Sequence, residues 1–243
     1  MKTFLAALVV IALTGCSNEK EEKLDPNRVE VAYYQDGTIE SETPFIDNKK
    51  EGVVIEYYRN GTKKSEIPFK AGKEHGVRVN YFESGVKKGE IPYMAGKIHG
   101  VGVNYYESGA KEEETPYEDG QRYGVMVRWY ESGVKKSELP LEGGEEQGVA
   151  FDWYESGAKM RETPFKHGNI HGVRISWYES GAKESELPFK DGKSHGVRVR
   201  WYESGAKQEE VPFRDGKEHG VARFWDEEGN MTTKTYEDGE EVE

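Results

Sequence analysis

The sequence predicts an all-β fold: an elongated single-layer array of stacked antiparallel β-hairpins with a 24-residue period. Three observations predict it. Gly52, Gly76, Gly100, Gly124, Gly148, Gly172, Gly196 and Gly220 stand 24 residues apart, with nothing inserted or deleted. A second glycine series from Gly37 to Gly229 and a proline series from Pro44 to Pro212 keep the same spacing. Between these markers apolar and polar side chains alternate, as where Val197, Val199 and Trp201 interleave with Arg198 and Arg200, which is the period of a half-buried strand. A strict period of this length is the signature of a stacked repeat array.

Taken from the N-terminus, residues 1–15 carry one charge at Lys2, an apolar run from Phe4 to Leu13, and the small residues Thr14 and Gly15 before Cys16. That is the pattern of a secretory signal. The run is far shorter than the roughly 20 residues of a membrane-spanning helix. Leu13-Thr14-Gly15-Cys16 resembles the bacterial lipobox, which implies cleavage before Cys16 and acylation of its thiol. Stable anchoring needs more than one acyl chain, which that maturation supplies. Cys16 is the only cysteine, so one chain can build neither a disulfide framework nor a CxxC site. Residues 16–27, rich in Glu and Lys from Ser17 to Pro26, read as a solvated tether. Residues 28–243 divide into nine tandem blocks, beginning at Arg28, Gly52 and so on to Gly220.

Within a block, the strand at 196–202 meets Glu203-Ser204-Gly205, which suits a type I turn closed by a left-handed glycine and a G1 bulge. That loop sets Tyr202 opposite Ala206 and Trp201 opposite Lys207. Counting onward places Val197, Val199, Trp201, Val211 and Phe213 on one face, and Arg198, Tyr202 and Glu210 on the other. Pro212 should end the second strand or sit at its edge, because proline cannot donate to a ladder. Asp215-Gly216-Lys217 makes the next turn. One hairpin alone is marginal, so the apolar face becomes continuous only by stacking. At about 4.8 Å per strand, nine blocks would span on the order of 80 to 90 Å. The last block, with Asp226 in the place of Tyr and Tyr236 in the place of Pro, reads as a divergent polar cap.

The block pattern Gly-Val-x-Val-x-Trp/Tyr-Tyr-Glu-Ser-Gly-x-Lys resembles the MORN repeat in its bacterial variant, the repeat of YwqK-type antitoxin components, over residues 28 to about 230. The repeated hairpins read as built for binding rather than for catalysis, since no Ser-His-Asp order, phosphate loop or nucleotide fingerprint appears that the repeat does not already explain.

Charge narrows the partners. The chain carries a formal net charge of -12, and loss of residues 1–15 removes Lys2 alone, giving -13. Nucleic acid, which is bound by neutralising phosphates with clustered Lys and Arg, is excluded on that ground, and anionic lipid surfaces are disfavoured.

The residues that could carry chemistry are repeated, which argues against a unique site. His75, His99, His171, His195 and His219 share one block position. Stacked equivalents at roughly 10 Å cannot surround one ion with Zn–N bonds near 2.0 to 2.1 Å, so no metal or other cofactor is expected and a turn role is. His167 stands four residues before His171 and outside the series. Glu42, Glu66, Glu90, Glu114, Glu138, Glu162, Glu186 and Glu210 form a carboxylate ladder with no unique pair. The register above sets Arg78 against Glu90, Arg174 against Glu186 and Arg198 against Glu210, so cross-strand pairing is its expected purpose. No catalytic residues are assigned. Of two aromatic rows, Tyr33, Tyr57, Tyr81, Tyr105, Trp129, Trp153, Trp177, Trp201 and Trp225 should form core. Its neighbour, Tyr58, Phe82, Tyr106, Tyr130, Tyr154, Tyr178 and Tyr202, with Tyr34 ahead of it, is the candidate binding surface. The expectation is a lipid-anchored scaffold of the cell envelope, in the outer membrane if there is one, that binds envelope proteins. Recognition of a cell-wall polysaccharide through the tyrosines, or neutralisation of a partner toxin, are the alternatives.

Overall fold

The computed structural model describes residues 7–10 and 24–242. Cys16, with the predicted cleavage and lipidation site and most of the tether, lies outside them. Every regular element among the described residues is a β-strand. The chain forms two compact units, Met1–Gln121 and Arg122–Glu243. Each is a single layer of antiparallel hairpins built from one block design. A short strand, Ala7–Val10, runs parallel to Arg28–Val31 in the first unit.

Each block before the last has a six-residue strand, a turn, an eight-residue strand, a two-residue turn and a two-residue strand. In the first unit these are Gly52–Tyr57, Lys63–Lys70 and Lys73–Glu74. In the second they are Gly196–Trp201, Lys207–Arg214 and Lys217–Glu218. The longer turn is the bulged loop expected: Gly205 N–H donates to the Tyr202 carbonyl at 2.8 Å, Tyr202 N–H to the Ala206 carbonyl at 2.8 Å, and Gly205 has φ +86°. The shorter turn has positive φ at both residues, +51° at Asp215 and +88° at Gly216, which is the type I′ hairpin geometry. Its glycine also reaches back to the block before, as Gly72 N–H does to the Lys50 carbonyl at 2.9 Å.

The expected register fails beyond the turn. Trp201 does face Lys207, but Arg200 then faces Glu209, so Gln208 is an extra, unpaired residue. This second bulge moves the rest of the long strand to the opposite face. Val211 therefore faces Arg198, and Glu210 faces Val199. Val211 and Phe213 do not share a face with Val197, Val199 and Trp201. The Arg–Glu pairs expected at 78/90, 174/186 and 198/210 are not formed, because Glu90, Glu186 and Glu210 face Val79, Ile175 and Val199.

Burial follows the corrected register. Val54, Ile67, Met126, Leu187, Val211 and Ala222 are buried, all on the Arg198 side of the sheet. On the other side Val197 is 45% exposed, and the Trp row is half-buried rather than core. Pro212 lies inside its strand, opposite Val197. In an antiparallel strand a residue's N and C=O point to the same side. The proline carbonyl accepts from His219 N–H at 2.9 Å, so its missing donor falls where the neighbouring chain is already interrupted, between Glu218 and Gly220. That glycine is forced: Gly220 has φ +108°, and a Cβ there would lie 3.2 Å from Pro212 Cγ. The common period of Gly and Pro is thus one contact between successive blocks.

The last hairpin lacks the second bulge: Gly220 pairs with Tyr236 and Trp225 with Met231 without a shift. Tyr236 occupies the structural place of Phe213, not that of proline, because deleting the bulge shortens the strand by one residue. Met231–Glu237 and Glu240–Val242 are almost wholly exposed.

Candidate functional site

The tyrosines singled out from the sequence connect one block to the next. Tyr58 donates its hydroxyl to the Tyr81 carbonyl at 2.7 Å. Tyr130, Tyr154, Tyr178 and Tyr202 do so to Trp153, Trp177, Trp201 and Trp225, each at 2.8 Å. Tyr34 binds the Tyr57 carbonyl in the same way at 2.6 Å. Phe82 keeps the ring and lacks the donor, and Tyr106 is half-buried like its neighbours. Burial first, then the carboxylate of Glu184, raises the phenol pKa of Tyr154 and Tyr178 above its ordinary value. Each donates to backbone, and its ring lies partly exposed, with lysine ammonium groups 5.5 Å from Phe82 and 5.3 Å from Tyr130.

The opposite face carries a repeated three-residue motif. In a regular strand residues three apart face opposite ways, but the bulge residue brings Lys63 and Glu66 together as an ion pair. Glu66 also accepts from the Tyr81 hydroxyl of the next block at 2.9 Å. Lys87, Glu90 and Tyr105 repeat this, with a 2.6 Å ion pair and a 2.9 Å hydroxyl bond. The lysine hydrogen bond first, then the tyrosine hydroxyl, hold Glu66 and Glu90 below the ordinary carboxylate value. Burial, then the bond to the carboxylate, pushes Tyr81 and Tyr105 up. In the second unit tryptophan replaces the tyrosine and the lysine lies over its ring: Lys135, Lys159, Lys183 and Lys207 stand 5.3 to 5.5 Å from the centroids of Trp153, Trp177, Trp201 and Trp225. The carboxylate ladder is thereby bound to lysine in both units, at 2.5 to 2.7 Å for Glu138, Glu162, Glu186 and Glu210.

Beside this motif runs an apolar row the sequence reading placed inside. Val53, Val77 and Val101 in the first unit, and Val125, Val149, Val173, Val197 and Val221 in the second, are 41 to 51% exposed. Each faces the proline of its own hairpin, except Val221, which faces Thr235. The signal for it was the column itself, one valine after every block-opening glycine.

The histidine position serves the turns. Its backbone N–H binds the proline carbonyl, at 2.9 Å in His195. Its side chain meets the two-residue turn of the following block: His171 Nδ1 lies 3.3 Å from the Asp191 carboxylate. Where Glu51 or Gln147 stands instead, the side chain accepts from the turn N–H of Ala71 at 2.6 Å or of His167 at 2.9 Å. Among the described residues no cluster of three or more His, Cys, Asp or Glu is placed to hold a metal ion, and no helix is long and apolar enough to cross a membrane.

This hairpin design can be set beside known families. Four stretches match the MORN repeat variant: residues 50–71, 74–94, 98–119 and 170–191. Each spans one hairpin, from its six-residue strand through the bulged turn to the end of its eight-residue strand. No curated protein matches the chain. MORN repeats are in general interaction repeats, for proteins or for membranes, and the chain is similar to them over those four stretches.

Proposed function

We propose that this chain is a non-catalytic MORN-repeat scaffold, anchored in the cell envelope through lipid on Cys16, that binds protein partners along its repeated ladder face. What supports the reading most is the valine row. Apolar side chains exposed once per block, flanked by lysine–carboxylate pairs, give an apolar strip with a charged rim, the composition of protein-binding surfaces. The net charge of -12 disfavours an anionic lipid surface as the principal ligand of that face. Glycan recognition by the tyrosine row finds less support, since those hydroxyls are already bound to backbone.

The test places a photo-crosslinking residue at Val149 or Val173, with Glu155 in an exposed turn as control. Defined adducts in intact cells from the valine positions, and none from Glu155, are the expected result. Adducts from Glu155 alone would overturn the choice of face. Cys16→Ser should abolish fatty-acid labelling and leave an unprocessed precursor; normal processing without label in either form would refute the anchor.

A further inference from the structure

On the buried face of the second unit one arginine lacks the pairing that its equivalents in other blocks have. Arg78 and Arg198 occupy the same position of their blocks, and both are paired. Arg78 lies 3.3 Å from Glu74, and Arg198 lies 2.6 Å from Glu209 and 3.5 Å from Glu218. Arg174 is their equivalent one block before Arg198. Where those carboxylates would stand, its own surroundings have Ile170, Ser185 and Ser194. Its guanidinium lies 4.9 Å above the Phe189 ring, and it has no carboxylate partner among the described residues. Stacking does not substitute for a counter-charge, because Arg198 sits over Phe213 at 5.1 Å and is ion-paired as well.

A cavity of about 290 Å³ opens beside this arginine, with an apolar wall that includes Met126, Leu139, Phe165 and Ile170. Arg161 and Arg128 also line it. Arg161 uses its Nε on Asp152 at 3.0 Å, which leaves the two outer nitrogens of its fork without a partner among the described residues. Two acidic residues share the half-enclosed space with the three arginines, and both are engaged: Asp152 with Arg161 Nε and Glu138 with Lys135. Burial, and next the charge of Arg161, pull the Arg174 guanidinium below its ordinary value; an anion between the two would oppose both effects.

We propose that this cavity binds a small amphipathic carboxylate, its apolar body against Met126, Leu139 and Phe165 and its carboxylate on Arg174 and the free edge of Arg161. The volume is at the small end of ligand pockets, about 300 Å³, which suits a short chain or a single ring. Two planar guanidinium forks favour a carboxylate, which each can engage with two N–H donors. This site lies on the opposite face from the valine row and stands independently of the protein-binding reading.

The probe is octanoate, titrated into the full-length protein by calorimetry, with octylamine and inorganic phosphate as controls. Saturable binding at one site per chain is expected for octanoate, with neither control binding there. Arg174→Gln should weaken it at least about tenfold, the loss of a charge-assisted bidentate contact. Ile170→Glu restores the internal partner that Glu74 gives Arg78. It should abolish binding while leaving the thermal midpoint equal or higher, so that lost affinity is separated from lost fold. Octanoate affinity unchanged by both substitutions, octylamine binding as tightly, or no saturation at millimolar octanoate would each overturn the proposal.

Discussion

The contact between the block-opening glycine and the proline before it predicts a specific double-mutant result. Gly100 has φ +112°, and a Cβ there would stand 3.1 Å from Pro92 Cγ and 3.5 Å from Pro92 Cβ. Gly109, in the turn of the same block, has φ +88° and nothing within 4 Å of an added Cβ. Gly109→Ala therefore carries only the left-handed backbone cost, about 1–2 kcal/mol, reduced by the roughly 0.4–1 kcal/mol that alanine removes from the unfolded chain's entropy. A net loss of about 1 kcal/mol follows. Gly100→Ala adds an overpacking cost of about 1–3 kcal/mol, so about 2–4 kcal/mol in total. Replacing Pro92 by Ala removes the Cγ that the new methyl meets. Gly100→Ala in the Pro92→Ala background should thus cost at least about 1 kcal/mol less than in the wild type, a coupling of the size contacting residues show. Urea unfolding followed by far-UV circular dichroism measures all five proteins. Exchange of the His99 amide, which donates to the Pro92 carbonyl at 3.0 Å, reports the same contact locally. Equal costs for Gly100→Ala and Gly109→Ala, or strictly additive values in the cycle, would refute the stacking argument.

Three further outcomes are expected. Glu66 is depressed below its ordinary 4.5, so its contribution to stability is complete above that pH and is lost as pH falls through the lowered value. Tyr81 is raised above its ordinary 10.0, so its contribution holds below pH 10.0 and fades as pH rises through the raised value. Thermal melts should show Glu66→Gln flattening the acid arm and Tyr81→Phe the alkaline arm; unchanged arms would remove the motif from the stability argument. Tyr154→Phe leaves the Trp177 carbonyl without its 2.8 Å donor and should cost about 1 kcal/mol in denaturant melts, whereas no loss would return that hydroxyl to the pool of binding groups. Deleting residues 148–171 joins Gln147 to Gly172 in register and should give a folded, shorter protein. Deleting 148–159 instead removes a first strand and its turn and should be far worse, and equal destabilisation would contradict the modular block.

The period, the hairpin and its bulged turn were legible because each is written in residues with few conformational choices. Gly205 has to be left-handed, and Asp215-Gly216 favours a tight reversal. The face of the long strand was not legible, because the extra residue at Gln208 carries no turn-forming chemistry and one unpaired residue inverts every side chain after it. Read from the block at 196–219 alone, Arg198 looks solvent-facing. Read down its column, through Val54, Gly102, Met126, Ala150 and Ala222, the same position is apolar or small in five other blocks, and Val54, Met126, Ala150 and Ala222 are buried. Of the candidate site, the tyrosine row was visible as a repeat, but its hydroxyl bonds depend on which carbonyl the next block presents. The cavity beside Arg174 was hidden for a different reason: its signal is the missing carboxylate at Ile170, Ser185 and Ser194, which shows only once the partners of Arg78 and Arg198 are known.

The direction of the bonds at the two-residue turns bears on how the protein is made. In every instance the donor belongs to the later block and the acceptor to the earlier one: Gly96 N–H to the Glu74 carbonyl, Gly168 to Glu146, Gly192 to Ile170. A ribosome making about 5–20 residues per second needs seconds to deliver each 24-residue block, while a hairpin closes in about 1–10 μs. A chain delivered from its N-terminus therefore presents each acceptor carbonyl before its donor, and a new segment can pair with the block before it while later copies are still absent. Synthesis from the N-terminus resolves an ambiguity that near-identical segments would face if released together from a denatured state, so refolding after dilution from urea should yield more misregistered chains than production in the cell does.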